Sequence, residues 1–320
     1  MCAEDDLAAV AGSLVGEIVV AGPRGELGAL EERAQGSGQP RVVATGDATR
    51  FGDAVRDAGV AVVAMEGSSS AADSLVRVAD DTEGFIAAVF NAHEEEHVEP
   101  SLVETVREAA DVTLLACRKR PTADAPPEQG DGRGPLVRRP QSGAAAGGAF
   151  DFVRMIRMPG QINIDLADAR TVLSDGALAV LGGGTASLET EGPRRAVRRA
   201  FEDIPSSVDT ARGSDALVSV VGGPEMSIGD AVAAVRAIRE DAGGISDLIW
   251  GVAVEDALAG RVTVDAVVDG ITYRPPLSAG DPCQRCGATL AVYTFGERTT
   301  LACEGCGFAD LSMSLGDRSG

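Results

Sequence analysis

Four cysteines in two pairs carry the clearest chemical pattern in this chain: Cys283-Gln-Arg-Cys286-Gly, then Cys303-Glu-Gly-Cys306-Gly. Zinc prefers four tetrahedral sulfur or nitrogen ligands, and two Cys-x-x-Cys knuckles supply one closed four-thiolate set. The glycine after each pair, Gly287 and Gly307, lets the backbone turn so that its amides point at the thiolates. Between the pairs, Ala288–Phe295 and Thr299–Ala302 read as a hairpin turning at Gly296. The spacing predicts a small zinc ribbon with Cys283, Cys286, Cys303 and Cys306 as metal ligands. A closed four-thiolate site has no open coordination position, so its expected role is a structural staple. The rest of the chain must supply the function.

A second pattern is Pro159-Gly160-Gln-Ile-Asn163-Ile-Asp165-Leu-Ala-Asp168. Two carboxylates three residues apart, after a Pro-Gly turn and at the start of a helix, project in a fixed direction. The plainer reading is that Asp165 and Asp168 favour the helix N-terminus through its dipole. Other motifs are weaker. His93-Glu-Glu-Glu-His97 satisfies His-Glu-x-x-His literally, but its middle positions are charged and Pro100 follows at once, as in a solvated acidic turn. Gly22-x-x-Gly25-x-x-Gly28 lacks dinucleotide spacing and carries Pro23, and Gly67-Ser-Ser-Ser70 follows an apolar strand. Both read better as ordinary turns than as anion nests. Arg194, Arg195, Arg198 and Arg199 form a basic stripe, best read as an exposed helix pairing with Glu189, Glu191 and Glu202.

Composition sets the scene. The chain has 320 residues and a formal charge of −21; its basic residues are arginines apart from Lys119. Such an acidic, lysine-poor surface suits multimolar salt, where the Debye length falls to about 3 Å and self-repulsion is quenched. A hydrophobic content of 44% suffices for a real core and argues against disorder. Only Cys2 and Cys117 lie outside the knuckles, too few for a disulfide framework, so a reducing cytoplasm is expected. The acidic start (Glu4, Asp5, Asp6) is opposite to a signal peptide's basic one, and the apolar run Leu7–Ala21, broken by Glu17, is too short to span a bilayer. No basic stripe with interleaved aromatics speaks for nucleic acid.

The elements that must position these groups follow from periodicity. Strands are expected at residues 17–21, Arg41–Ala44, Val60–Met65 and Val112–Ala116, with helices over Glu26–Arg33, Phe51–Ala58, Thr82–Phe90 and Ser101–Ala110. That alternation argues for a parallel α/β layer. From Lys119 to Ala149 the apolar pattern dissolves into Pro-, Gly- and Ala-rich sequence, read as a flexible linker or insert. Further strands are expected at Ala177–Leu181, Ala216–Val221, Leu248–Val254 and Arg261–Val268, and a helix at Ile228–Arg239 with Ser227 and Asp230 placed as a capping box. The organisation is an α/β layer at 1–118, a linker at 119–149, an α+β domain at 150–273 and the ribbon at 274–320.

Residues 150–271 resemble the C-terminal half of FtsZ, the prokaryotic tubulin relative. Met155-Ile-Arg-Met-Pro-Gly160-Gln-Ile-Asn163-Ile-Asp165-Leu-Ala-Asp168 looks like that family's catalytic loop, with its Pro-Gly-x-x-Asn-x-Asp-x-x-Asp pattern. Arg170–Ala186 continues the match as a helix, a strand and a glycine turn at Gly182–Thr185, and Ala211–Gly223 and 248–271 resemble later strands. The resemblance implies a tubulin-like fold and assigns Asn163, Asp165 and Asp168 to the loop that reaches the next subunit's nucleotide pocket and polarises the water attacking GTP. It also implies partners: FtsZ-like proteins, or the chain itself. The family's glycine-rich phosphate loop has no match in residues 1–118. The expectation is therefore a degenerate tubulin/FtsZ-like N-terminal α/β layer without productive GTP binding, an FtsZ-like C-terminal domain and the ribbon. As a whole it would be a binding, scaffolding or filament-capping partner in cell division or the cytoskeleton. Two rivals are an active GTPase with an atypical nucleotide site and a zinc-ribbon interaction module unrelated to division.

Overall fold

The computed structural model describes residues 17–24, 27, 31, 40–65, 69–92, 98–117, 144–173, 176–202, 204, 205, 207–210, 213–241, 245–274, 277, 279–283, 285–295 and 298–310. The first portion is built on four apolar runs: β1 (Ile18–Gly22), β3 (Val60–Met65), β4 (Phe85–Asn91) and β5 (Val112–Ala116). Their near-continuous burial marks strands covered on both faces, the condition of a parallel sheet. The strand β2 (Arg41–Ala44) pairs on the outer side of β1. The intervening helices are α1 (Ala48–Arg56), α2 (Ser69–Ala79) and α3 (Pro100–Arg107), and Arg24, Leu27 and Glu31 are helical too.

Thr82–Phe90 reads as helical because alanine favours helices, yet Phe85–Asn91 is a strand. Phe85, Ala87 and Val89 enter one core cluster, while Ile86, Ala88 and Phe90 enter the other. Burial on both faces overrides local propensity.

The second portion contributes α4 (Ala144–Arg157), α5 (Leu166–Val172), β6 (Ala177–Ser187), α6 (Pro193–Glu202), β8 (Asp215–Gly222), α7 (Ile228–Asp241), β9 (Asp247–Val254) and β10 (Arg261–Val268). The helix α4 begins inside the stretch that composition suggests as linker. The two α/β portions share one nine-stranded sheet, in the order β2-β1-β3-β4-β5-β6-β10-β8-β9. They join where β5 runs parallel to β6, with Val112 opposite Ala177 and Ala116 opposite Leu181. A short pair of strands, β7 (Val208–Asp209) and β11 (Thr272–Tyr273), closes this unit.

The glycines Gly182–Gly184, expected as a turn, lie within β6. A Cβ on Gly182 would sit 2.2 Å from the Ala200 carbonyl, and one on Gly184 2.1 Å from that of Ala196. The glycines let α6 lie directly on the strand. They neither turn the chain nor cradle a phosphate.

The described residues after Arg274 form a separate compact unit. Its sheet is β12 (Ala291–Phe295), β13 (Arg298–Ala302) and β14 (Ala309–Asp310), all antiparallel. The expected hairpin is present, with Phe295 opposite Arg298.

Candidate functional site

The helix α4 ends where Met158 N–H donates to the Arg154 carbonyl at 2.9 Å and Pro159 forbids a further turn. Gly160 N–H then donates to Asn163 Oδ1 at 2.7 Å, closing a tight loop. That loop lies on β9: Ile162 N–H donates to the Val252 carbonyl at 3.2 Å, and Val252 N–H to the Ile162 carbonyl at 2.8 Å. A Cβ on Gly160 would come 2.1 Å from the Val252 oxygen, so the approach requires glycine. Ile164 is buried and anchors the far side.

Asp165 is the N-cap of α5, and Asp168 completes a capping box. Asn163 thus closes the loop two residues before the Asp165–Asp168 box that starts α5, and Asn163 and Asp165 are exposed. Each side chain also has a local structural task. One oxygen of each carboxylate is engaged by a backbone N–H, and the other is left to orient a water or meet a basic group.

Behind the loop is a pair that sequence reasoning missed. Arg154 of α4 donates to Asp265 of β10 at 2.5 Å, and their side chains are 7% and 2% exposed. Burial works against the Arg154 charge, but Asp265 and Asp151 outweigh it and raise its pKa. The available signal was two charged residues inside apolar patterns, Phe152-Val-Arg-Met-Ile156 and Val262-Thr-Val-Asp-Ala-Val-Val268.

The cysteine unit is a second centre. The Sγ atoms of Cys283, Cys286, Cys303 and Cys306 all lie within 4.8 Å of one another. Cys283 and Cys306 are 3.6 Å apart and Cys286 and Cys303 3.4 Å. Tetrahedral zinc with bonds of about 2.3 Å needs sulfurs about 3.8 Å apart, so the residues fit such an ion. The two knuckles repeat one geometry. Gly287 N–H bonds to the Cys283 carbonyl and Gly307 N–H to that of Cys303; Cys283 N–H bonds to Ala288 and Cys303 N–H to Phe308. Both glycines take left-handed φ, +75° and +70°. Burial disfavours the Cys283 thiolate, but N–H donation from Arg285 and Cys286 and the thiols of Cys303 and Cys306 outweigh it, bringing its pKa down to about 7.

The remaining candidates divide simply. His93–His97 and residues 66–68 lie outside the described residues. In the arginine stripe of α6, Arg194 pairs with Glu240, Arg195 with Glu202 and Arg199 with Glu191. A cavity of about 650 Å³ beside β2 is lined by Arg24, Arg41 and Arg50 but also by Asp47, Asp53 and Asp57. Arg41 and Arg50 are already paired with Glu17 and Glu31, so the cavity has no excess positive charge for an anion. Among the described residues, no helix is long and apolar enough to cross a membrane.

Residues 177–272 match the model of the FtsZ family, C-terminal domain. Over 120 residues the chain is 34% identical to the cell division protein FtsZ of Haloferax mediterranei, covering 38% of this chain and 32% of that protein. It is 32% identical over 120 residues to cell division protein FtsZ 1 of Archaeoglobus fulgidus, with the same shares. The chain therefore spans about a third of the length of the curated relatives it matches. Among solved structures it is similar to the empty FtsZ dimer of M. jannaschii, with TM-score 0.60, 15% identity, and 88% of this chain and 100% of that one covered. It is also similar to the GTPγS-bound protofilament of CetZ2 from Haloferax volcanii, with TM-score 0.51, 16% identity, and shares of 80% and 94%. At these identities the structural likeness is one of fold, and that fold is FtsZ/tubulin-like.

Proposed function

We propose that this protein is a divergent FtsZ-like partner in cell division that docks on the end of an FtsZ filament through the Met158–Asp168 loop and caps it. The observation that carries this reading is an asymmetry between the two portions. The loop bearing Asn163, Asp165 and Asp168 is complete, laid on β9 and locked by a capping box. The sequence of residues 1–118, in contrast, has no glycine-rich phosphate loop to receive a following subunit. A molecule with only the first face adds to a filament but offers no site for the next subunit. In this reading the protein acts in the cytoplasm, and the four cysteines hold one zinc ion that staples the C-terminal unit.

The test is sedimentation and electron microscopy of a haloarchaeal FtsZ assembled with GTP in high potassium chloride. Substoichiometric amounts of this protein shorten the filaments, whereas the protein alone neither sediments with GTP nor hydrolyses it. Filaments formed by this chain alone with GTP would refute the proposal.

One observation favours the second reading, an active GTPase with an atypical pocket. The strand order β2-β1-β3-β4-β5 puts a topological switch between β1 and β3, where parallel α/β sheets bind ligands beyond the strand carboxyl ends. Isothermal titration with GTP in high salt separates the two.

A further inference from the structure

Arg154 and Asp265 have no place in the docking face, yet both are charged and buried beneath it. Asp265 lies in the middle of β10, opposite Gly183 on one side and Ser219 on the other. A buried ion pair is a poor stabiliser, because desolvation offsets most of its attraction and apolar residues of similar volume do as well or better. It does supply direction. α4 itself packs over β3 and β4, and the long Arg154 side chain reaches across to Asp265 of β10. A charged hydrogen bond at 2.5 Å permits little sliding of α4 over the sheet, whereas packing by Val153, Met155 and Ile156 alone admits neighbouring arrangements.

That restriction falls on one segment. The Arg154 carbonyl accepts the Met158 N–H, so the anchored residue belongs to the last turn before the loop. Ile162 must then meet Val252 in register, and Gly160 must fall against the Val252 carbonyl. A small axial shift of α4 would break both contacts.

We infer that the Arg154–Asp265 pair is a positioning latch that ties the last turn of α4 to β10 and so holds the Met158–Ile164 loop in register on β9. Its consequence for partner binding rests on the docking reading above; the latch itself does not.

The experiment uses the full chain with Arg154→Met and Asp265→Leu combined in an Asp151→Asn background, an apolar replacement of similar volume that leaves no buried carboxylate facing the lost guanidinium, and compares it with Asp151→Asn alone. The thermal midpoint stays equal or rises, while amide hydrogen exchange at Ile162 and Val252 accelerates about tenfold and filament-capping potency falls about tenfold. A folded double variant with unchanged exchange at those two amides overturns the latch, whatever the filament assay shows. Faster exchange, in a protein whose native form does not cap filaments, keeps the latch and removes the docking reading. Should the double variant not fold, Asp265→Asn is measured in the same way. Failure of both to fold would make the pair a stability element and overturn the inference.

Discussion

Asp165 and Asp168 bind each other's backbone: Asp165 Oδ1 accepts the Asp168 N–H at 2.9 Å, and Asp168 Oδ2 accepts the Asp165 N–H at 3.0 Å. Sequence alone offers two roles for these residues, chemistry toward a neighbouring subunit or support of a helix N-terminus. The geometry shows the second directly and leaves each carboxylate an oxygen for the first.

Substitutions at Asp165 separate the two roles. Asp165→Ala removes the cap and lowers stability by about 1 kcal/mol, whereas Asp165→Asn keeps an acceptor and changes stability by only a few tenths. Asp165→Arg adds a mismatched charge at the docking face. Thermal melts and filament shortening are measured side by side, and Asn and Arg both weaken capping. If Asp165→Asn caps as well as the native protein, the charge makes no contact with the filament.

The zinc reading predicts about one ion per chain in protein purified without chelator. Cys283→Ser and Cys303→Ser lose the metal and unfold residues after about Asp281, while the nine-stranded sheet keeps its melting transition. Metal release by acid follows the same logic, since protons compete for the four thiolates. Elemental analysis of each variant decides it, and a native protein without metal ends the ribbon reading.

Two glycine-to-alanine changes have opposite signs. In α4, a Cβ on Gly147 meets nothing within 4 Å, so Gly147→Ala raises stability by about 0.5–1 kcal/mol through helix propensity. In β6, a Cβ on Gly184 would meet the Ala196 carbonyl at 2.1 Å and the Ala200 nitrogen at 2.6 Å. Gly184→Ala forces α6 off the sheet and costs about 1–3 kcal/mol. Denaturant midpoints report both, and a neutral Gly184→Ala would contradict this packing.

Asp269 gives stability a pH dependence of known sign. Burial raises its pKa, the Gly270 N–H opposes that, and Asp215 adds to it. A raised folded pKa means that the native state holds this proton longer than the unfolded chain does. Stability is therefore fully present below the unfolded value of about 3.9 and falls as pH rises through the folded one. Asp269→Asn still accepts from Gly270 and removes the decline. The melting advantage of the variant over the native protein should grow from pH 4 to pH 7, and a constant advantage would exclude Asp269 as the source.

How much of this was written in local sequence depends on the distance between cooperating residues. The four cysteines fall within 24 positions and the capping box within four, so spacing alone picked out the cysteine cluster and the helix start. The strands β3 and β5 were equally legible, because a run of apolar and β-branched residues bounded by turns has few other folds available. Phe85–Asn91 was not, since its alanines favour a helix until two opposed cores demand alternation.

The glycines Gly182 and Gly184 looked like a turn for a similar reason: nothing near them in sequence reveals that a helix will lie on the strand. Arg154 and Asp265 stand 111 residues apart, and no local pattern pairs them. Local chemistry chose the residues of the cysteine centre and the loop. Only the tertiary structure decided that Arg154 reaches Asp265, that β5 joins β6, and that Ile162 rests on Val252. These are long-range contacts, selected by the packing of the whole core.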